Sequence, residues 1–219
     1  AFVIGTIITT FGSSINQAFS PWLGDKLNLC QFDDIRKISK YYIGIFTVFV
    51  LGIILLAPEI ILLFGGKQYS DSIYVLLPIA LGCIMQFIYT LFVNVEQFKK
   101  KTVWMAIASV VAAGINYLLN YFLIPLYGYK AAAYATLISY MLLLIFHVAI
   151  VCWLGYSKVY SNKFVMGIVI LLAILSIAIQ YLYSHLIIRY SLFLIYLMSI
   201  AVVMFKYRKL ILGLFKNKQ

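Results

Sequence analysis

Long apolar runs alternate with short basic connections along this chain, and that alternation limits its fold more than any other feature. A helix needs about 20 predominantly apolar residues to cross the hydrocarbon core of a bilayer. Seven such runs can be read, at roughly 2–24, 41–64, 72–95, 103–124, 131–154, 164–184 and 190–206. Hydrophobic residues are 65% of the 219 and charged residues only 11%. Soluble domains are nearer half and a quarter. A soluble domain of this length has too much surface to hide so many apolar side chains. The expected fold is therefore all-α and integral to a membrane, with about seven transmembrane helices.

The breaks between runs carry turn chemistry. Pro58 falls near the end of the second run, and Gly65-Gly66 reads as its stop. Pro125 and Gly128 separate the fourth and fifth runs. A charged connection at 25–40 is expected between the first two, and the stretch 184–190, with His185 and Arg189, between the last two. The chain thus divides into a helical body at 1–154 and, at 155–219, two terminal helices with a basic tail.

Direction follows from charge. The net charge is +11, and 14 of the 17 Lys and Arg fall in alternate connections and the tail, leaving Lys67, Lys130 and Arg189 for the other side. The positive-inside rule places the richer side, with the C-terminus, in the cytoplasm and Ala1 outside. Scattered among short loops, these cations form no basic face, so nucleic acid is not an expected partner. Cys30, Cys83 and Cys152 have no ligand or disulfide spacing and read as free thiols. The first run lacks a basic n-region and a cleavage site, so it is no signal peptide. Beginning at Ala1, the chain is expected to be the C-terminal part of something longer.

Several runs carry polar residues at helical spacing. In the first, Thr6, Thr10, Ser13, Gln17 and Ser20 share one face. The third has Gln86, Thr90, Asn94 and Gln97, the fourth Ser109, Asn116 and Asn120, and the fifth Thr136, Tyr140 and His147. Such residues often hydrogen-bond across packed helices. Four stripes facing one another would instead line a hydrated cavity with apolar backs to lipid, suited to a polar cargo. Ser13, Gln17, Gln86, Asn94, Asn116, Asn120 and His147 are the candidate substrate path. His147 is deep enough for a proton relay or a cargo contact, though a neutral histidine satisfied within the bundle is the commoner role for such a residue. Glu59 and Glu96 fall near run ends, where their carboxylates are expected to reach water. Tyrosines at run ends form an aromatic belt. No nucleophile–base pair, phosphate-cradling loop or metal spacing is present, so neither an enzyme nor a cofactor or metal site is expected.

Two stretches resemble a known family. PEIILLFGGKQY at 58–69 is followed by VLLPIALGCIMQFIYTLFVNVEQFKKKT at 75–102, and NYLLNYFLIPLYGYKAAAYATLISY spans 116–140. Both are similar to the polysaccharide-biosynthesis branch of the multidrug/oligosaccharidyl-lipid/polysaccharide exporter superfamily, the O-antigen and capsule flippases. The second shows an Asn-bearing helix, then Ile-Pro-x-Tyr-Gly, small residues and Ala-Thr-x-x-Ser-Tyr. The family usually has Gly where this chain has Ala131.

The resemblance implies a two-lobed flippase in the bacterial cytoplasmic membrane, of which this chain supplies the C-terminal lobe and two terminal helices. Its implied cargo is an undecaprenyl-pyrophosphate-linked oligosaccharide, moved by alternating access. Its partners would be membrane lipid, that cargo, and the missing N-terminal lobe of the same polypeptide, which would supply the cations for the diphosphate. Two rivals are a multidrug or small-solute exporter of the same superfamily and a polytopic membrane enzyme of envelope polysaccharide synthesis.

Overall fold

The computed structural model describes residues 2–206, and the basic tail from 207 onward, with Arg208, Lys209, Lys216 and Lys218, lies outside them. Every regular element among the described residues is helical. In chain order these are α1 (Phe2–Asn28), α2 (Phe32–Leu55), α3 (Ala57–Gly65), α4 (Ile73–Phe98), α5 (Thr102–Tyr127), α6 (Lys130–Trp153), α7 (Asn162–Tyr181) and α8 (Leu186–Lys206). Five stretches are long and apolar enough to cross a membrane: α2, α4, α5, α6, and α7 with the turn that follows it. The chain therefore reads as a multi-pass membrane protein.

The chain forms two compact units divided between Ile177 and Ala178. In the first, α4 is the hub, packing on α1, α2 and α6. Apart from the polar residues of its second half, from Gln86 to Gln97, its sequence is apolar around the helix, as suits a helix surrounded by other helices. In its membrane-length window 78% of residues are buried, against 11% in α5, whose apolar residues point outward. α5 packs chiefly on α6.

Paired side chains give the helix directions. Gly5 approaches Ile79, Gly12 approaches Phe87, and Asn16 bonds Asn94, so α1 and α4 run parallel. Gly82 approaches Tyr140 and Glu96 meets His147, so α4 and α6 run parallel too. Phe11 meets Phe49 while Phe19 meets Tyr42, so α2 opposes α1. Trp104 at the start of α5 meets Trp153 at the end of α6, so those two are antiparallel. Consecutive helices thus alternate, as successive crossings must.

The second run is not one helix. Pro58 lacks an N–H and cannot satisfy the carbonyl of Ile54, so the helix breaks at Leu56 and restarts with Pro58 in the first turn of α3. Gly66 then closes α3 at φ +76, where a Cβ would be strained. Three boundaries differ from expectation. The charged connection expected at 25–40 is helical except around Leu29–Gln31, because Asp33 and Asp34 sit in the first turn of α2, where negative charge is favoured. Pro125 lies inside the last turn of α5, and the α5–α6 turn is made by Gly128 and Tyr129. Arg189 belongs to the first turn of α8, not to the loop before it, and is buried beside the rings of Tyr183 and Tyr190.

One end of the first unit has a shared construction. α1, α4 and α6 all finish in a left-handed residue: Cys30 at φ 54, Lys100 at φ 56 and Gly155 at φ 83. Each is followed by an amide that donates back five residues, Gln31 to Lys26, Lys101 to Glu96 and Tyr156 to Val151. These are Schellman closures, which usually employ glycine. Cys30 carries a side chain in a conformation that costs an L-residue roughly 1–2 kcal/mol. Cys30→Gly should therefore stabilise the chain by about 1 kcal/mol, read as a higher denaturant midpoint in mixed micelles. The same end gathers the basic connections. The Arg36 guanidinium donates to the Lys158 carbonyl at 2.8 Å, and Lys99 lies 4.6 Å from the Tyr156 ring centre.

Candidate functional site

The candidate polar residues are brought to three places, not to one cavity. The first is a cleft of about 210 Å³ between α1 and α4, with Phe46 of α2 at its wall. Thr9, Ser13, Asn16, Gln17, Gln86 and Thr90 supply its polar lining. Nearby, the Asn94 amide donates to the Asn16 side-chain oxygen at 2.7 Å, tying the two helices together. Gly12 allows the close approach at this level. A Cβ there would lie 3.0 Å from the Phe46 ring and 3.2 Å from that of Phe87. The Gln86 side-chain oxygen is shielded and has no hydrogen-bond partner.

The second place is a broader groove of about 500 Å³ on α5 and α6, lined by Ser109, Asn116, Asn120, Thr136, Ser139 and Tyr140 among others. Asn116 and Asn120 are one turn apart, and the Asn120 amide nitrogen donates to both the side-chain and main-chain oxygens of Asn116 at 2.9 Å. The Asn120 side-chain oxygen is left without a partner. Thr136 and Ser139 hydroxyls return to carbonyls one turn back. The expectation of four stripes facing one cavity is corrected here. α1 and α4 face each other, α5 and α6 face each other, and α5 meets α4 only lightly. Thr6 and Thr10 line a further groove beside Phe49 instead of the α1–α4 cleft.

The third place overturns the expectation that Glu96 reaches water. Glu96 is 0% exposed and His147 2%. The His147 Nδ1 lies 2.7 Å from the Glu96 Oε1. The other carboxyl oxygen, Oε2, is buried with no hydrogen-bond partner. His147 lines neither polar groove. Its ring lies 5.5 Å from that of Tyr89, nearly parallel, and Tyr89 in turn lies 6.1 Å from Tyr140. Seven-residue spacing produces this ladder. Gly82, Tyr89 and Glu96 follow one line of α4, and Ala133, Tyr140 and His147 follow one line of α6. A heptad keeps two parallel helices in register along a seam. Beside it, the buried Tyr160 of the α6–α7 connection donates its hydroxyl to the Leu91 carbonyl at 2.9 Å, and burial holds that phenol well above its ordinary titration range.

Sequence reasoning did not single out Asn16 or Thr9, which line the first cleft, and it set Glu96 aside. Thr9, Ser13 and Asn16 fall at steps of four and three, so the polar arc of α1 is broader than the stripe that starts at Thr6. No family profile, no curated protein and no solved structure matches the chain.

Proposed function

We propose that the chain is the second lobe and the two terminal helices of a flippase that carries undecaprenyl-pyrophosphate-linked oligosaccharide across the bacterial cytoplasmic membrane by alternating access, with seven crossings and the C-terminus inside. The observation that supports this best is that two grooves of an otherwise apolar bundle are lined by hydroxyl and amide side chains, Thr9, Ser13, Gln17 and Thr90 in one and Ser109, Asn116 and Thr136 in the other. Such groups offer both donors and acceptors, which suits a hydroxyl-rich cargo. The gathering of basic connections at one end of the first unit supports the orientation. The lipid tail of such a cargo stays in the bilayer while its sugars cross in the grooves, which removes most of the cost of burying them.

The test is made in cells that depend on this protein for surface polysaccharide. Gln17→Leu with Gln86→Leu, and separately Asn116→Leu with Asn120→Leu, should lower surface polysaccharide several-fold while membrane abundance stays near wild type. Lipid-linked oligosaccharide should build up in the inner leaflet. Unchanged polysaccharide together with lost drug resistance would favour a small-solute exporter.

A further inference from the structure

We infer that Glu96 and His147 form a proton-binding site inside the helix bundle, separate from the two polar grooves. The inference does not depend on what those grooves carry. Its basis is geometric. A carboxyl and an imidazole, each almost wholly buried, meet at 2.7 Å across the α4–α6 seam. One carboxyl oxygen is engaged and the other has no partner.

The proton count follows from that arrangement. With Nδ1–H donating to Oε1, the pair can exist in two charge states. With neutral imidazole and ionised carboxylate it carries a net negative charge. Taking one proton from water, at Oε2 of Glu96 or at Nε2 of His147, makes it neutral overall and leaves the Nδ1–H···Oε1 bond intact. In a buried site of low dielectric an uncompensated ion is expensive. No other cation compensates it. Among the described residues His147 is the only ion-pair partner of Glu96. The titratable groups that face the pair or lie along its seam are Tyr89 and Cys83 of α4, Tyr140 of α6 and Tyr160 of the following connection. On the elements packed nearby, Lys26 of α1 is held by Asp34, and Arg36 of α2 by Asp33 and the Lys158 carbonyl. Asp25, Lys37 and Lys40 lie on those same elements, and Lys40 sits over Phe164. Lys99 lies over Tyr156, and Lys100 and Lys101 follow it in the connection. Glu96 is two residues from the end of α4, so a small opening of the seam at that end admits water to the site. Opened, the pair exchanges its proton with that water.

The experiment uses the whole chain in lipid nanodiscs, labelled with nitrogen-15 at histidine. The chain has two histidines, so His185→Gln leaves the His147 signal alone. The nitrogen spectrum and the infrared carboxyl stretch are followed from acid to alkaline pH. The expected result is a single transition in which the His147 nitrogen signal and the carboxyl stretch change together. In Glu96→Gln the midpoint of the His147 signal should move by about one pH unit or more, a tenfold change in proton affinity. If that variant does not fold, His147→Gln read through the carboxyl stretch serves the same purpose, and the wild-type titration needs no variant. Two results would overturn the inference. One is a His147 signal and a carboxyl stretch that stay constant wherever the chain is folded, which marks a locked structural pair. The other is a His147 that titrates like His185 and ignores Glu96→Gln.

Discussion

His147→Leu should cost the chain about 3–5 kcal/mol, because it leaves a buried carboxyl without its partner. Glu96 is wholly enclosed and its second oxygen already lacks a donor, so nothing else nearby takes over the role of the imidazole. Glu96→Leu with His147→Leu should return to within about 1 kcal/mol of wild type, since both polar groups then leave an apolar, aromatic seam together. Reversible unfolding in mixed micelles, with the two single variants and the double, gives the coupling as a double-mutant cycle. A loss in the double variant equal to the sum of the two single losses would show that the pair is not energetically linked, whatever its geometry.

The second large effect is expected at Gly12, where α1 lies closest to the rings of Phe46 and Phe87. Those rings are themselves stacked at 4.1 Å and cannot easily part. A leucine there must displace one of them or push α1 away from α4, and overpacking of this kind costs about 1–3 kcal/mol. It would also close the cleft lined by Ser13, Gln17 and Gln86. Gly12→Leu should therefore lower the midpoint of unfolding and, under the proposed function, abolish export in cells that depend on the protein. Gly114 is the control. Nothing lies within 4 Å of a Cβ placed there, so Gly114→Ala should leave both measurements unchanged or slightly raise stability through helix propensity. If Gly12→Leu matches that control, α1 is not seated on α4 as described.

The helices were legible in the sequence because their signal is local. Each apolar run became helix, and the second does stop at its glycines, where Gly66 closes α3, but the further break at Leu56, just ahead of Pro58, was not read. The charged segment at 25–40 was harder. Charge marks the end of a membrane crossing but not the end of a helix, and α1 and α2 continue past the apolar limit of their runs. The site was less legible, because polar faces reveal which residues share a side but not which helix that side meets. Gln17 and Gln86 do share a cleft. Asn116 and Asn120 lie in a different one, since α5 is turned toward α6. Glu96 was misread for the same reason. Its place near the end of an apolar run suggests water, while the group that encloses it stands 51 residues further along the chain. Only the heptad steps of Gly82, Tyr89 and Glu96 against Ala133, Tyr140 and His147 hint at that meeting, and they make sense once α4 and α6 are known to be parallel.

That same sequence separation sets a timetable for biogenesis. Ribosomes add about 5–20 residues each second, so α4 enters the membrane with its carboxyl some seconds before the imidazole is synthesised, by that rate about 3–10 seconds. In the interval the nearest cations along the chain are Lys99 and Lys100, which lie past the end of α4. A nascent chain stalled between α4 and α6 thus presents an acidic group that lipid tolerates poorly. Quality-control proteases that survey the bilayer for such groups would meet their substrate there, well before any question of transport arises.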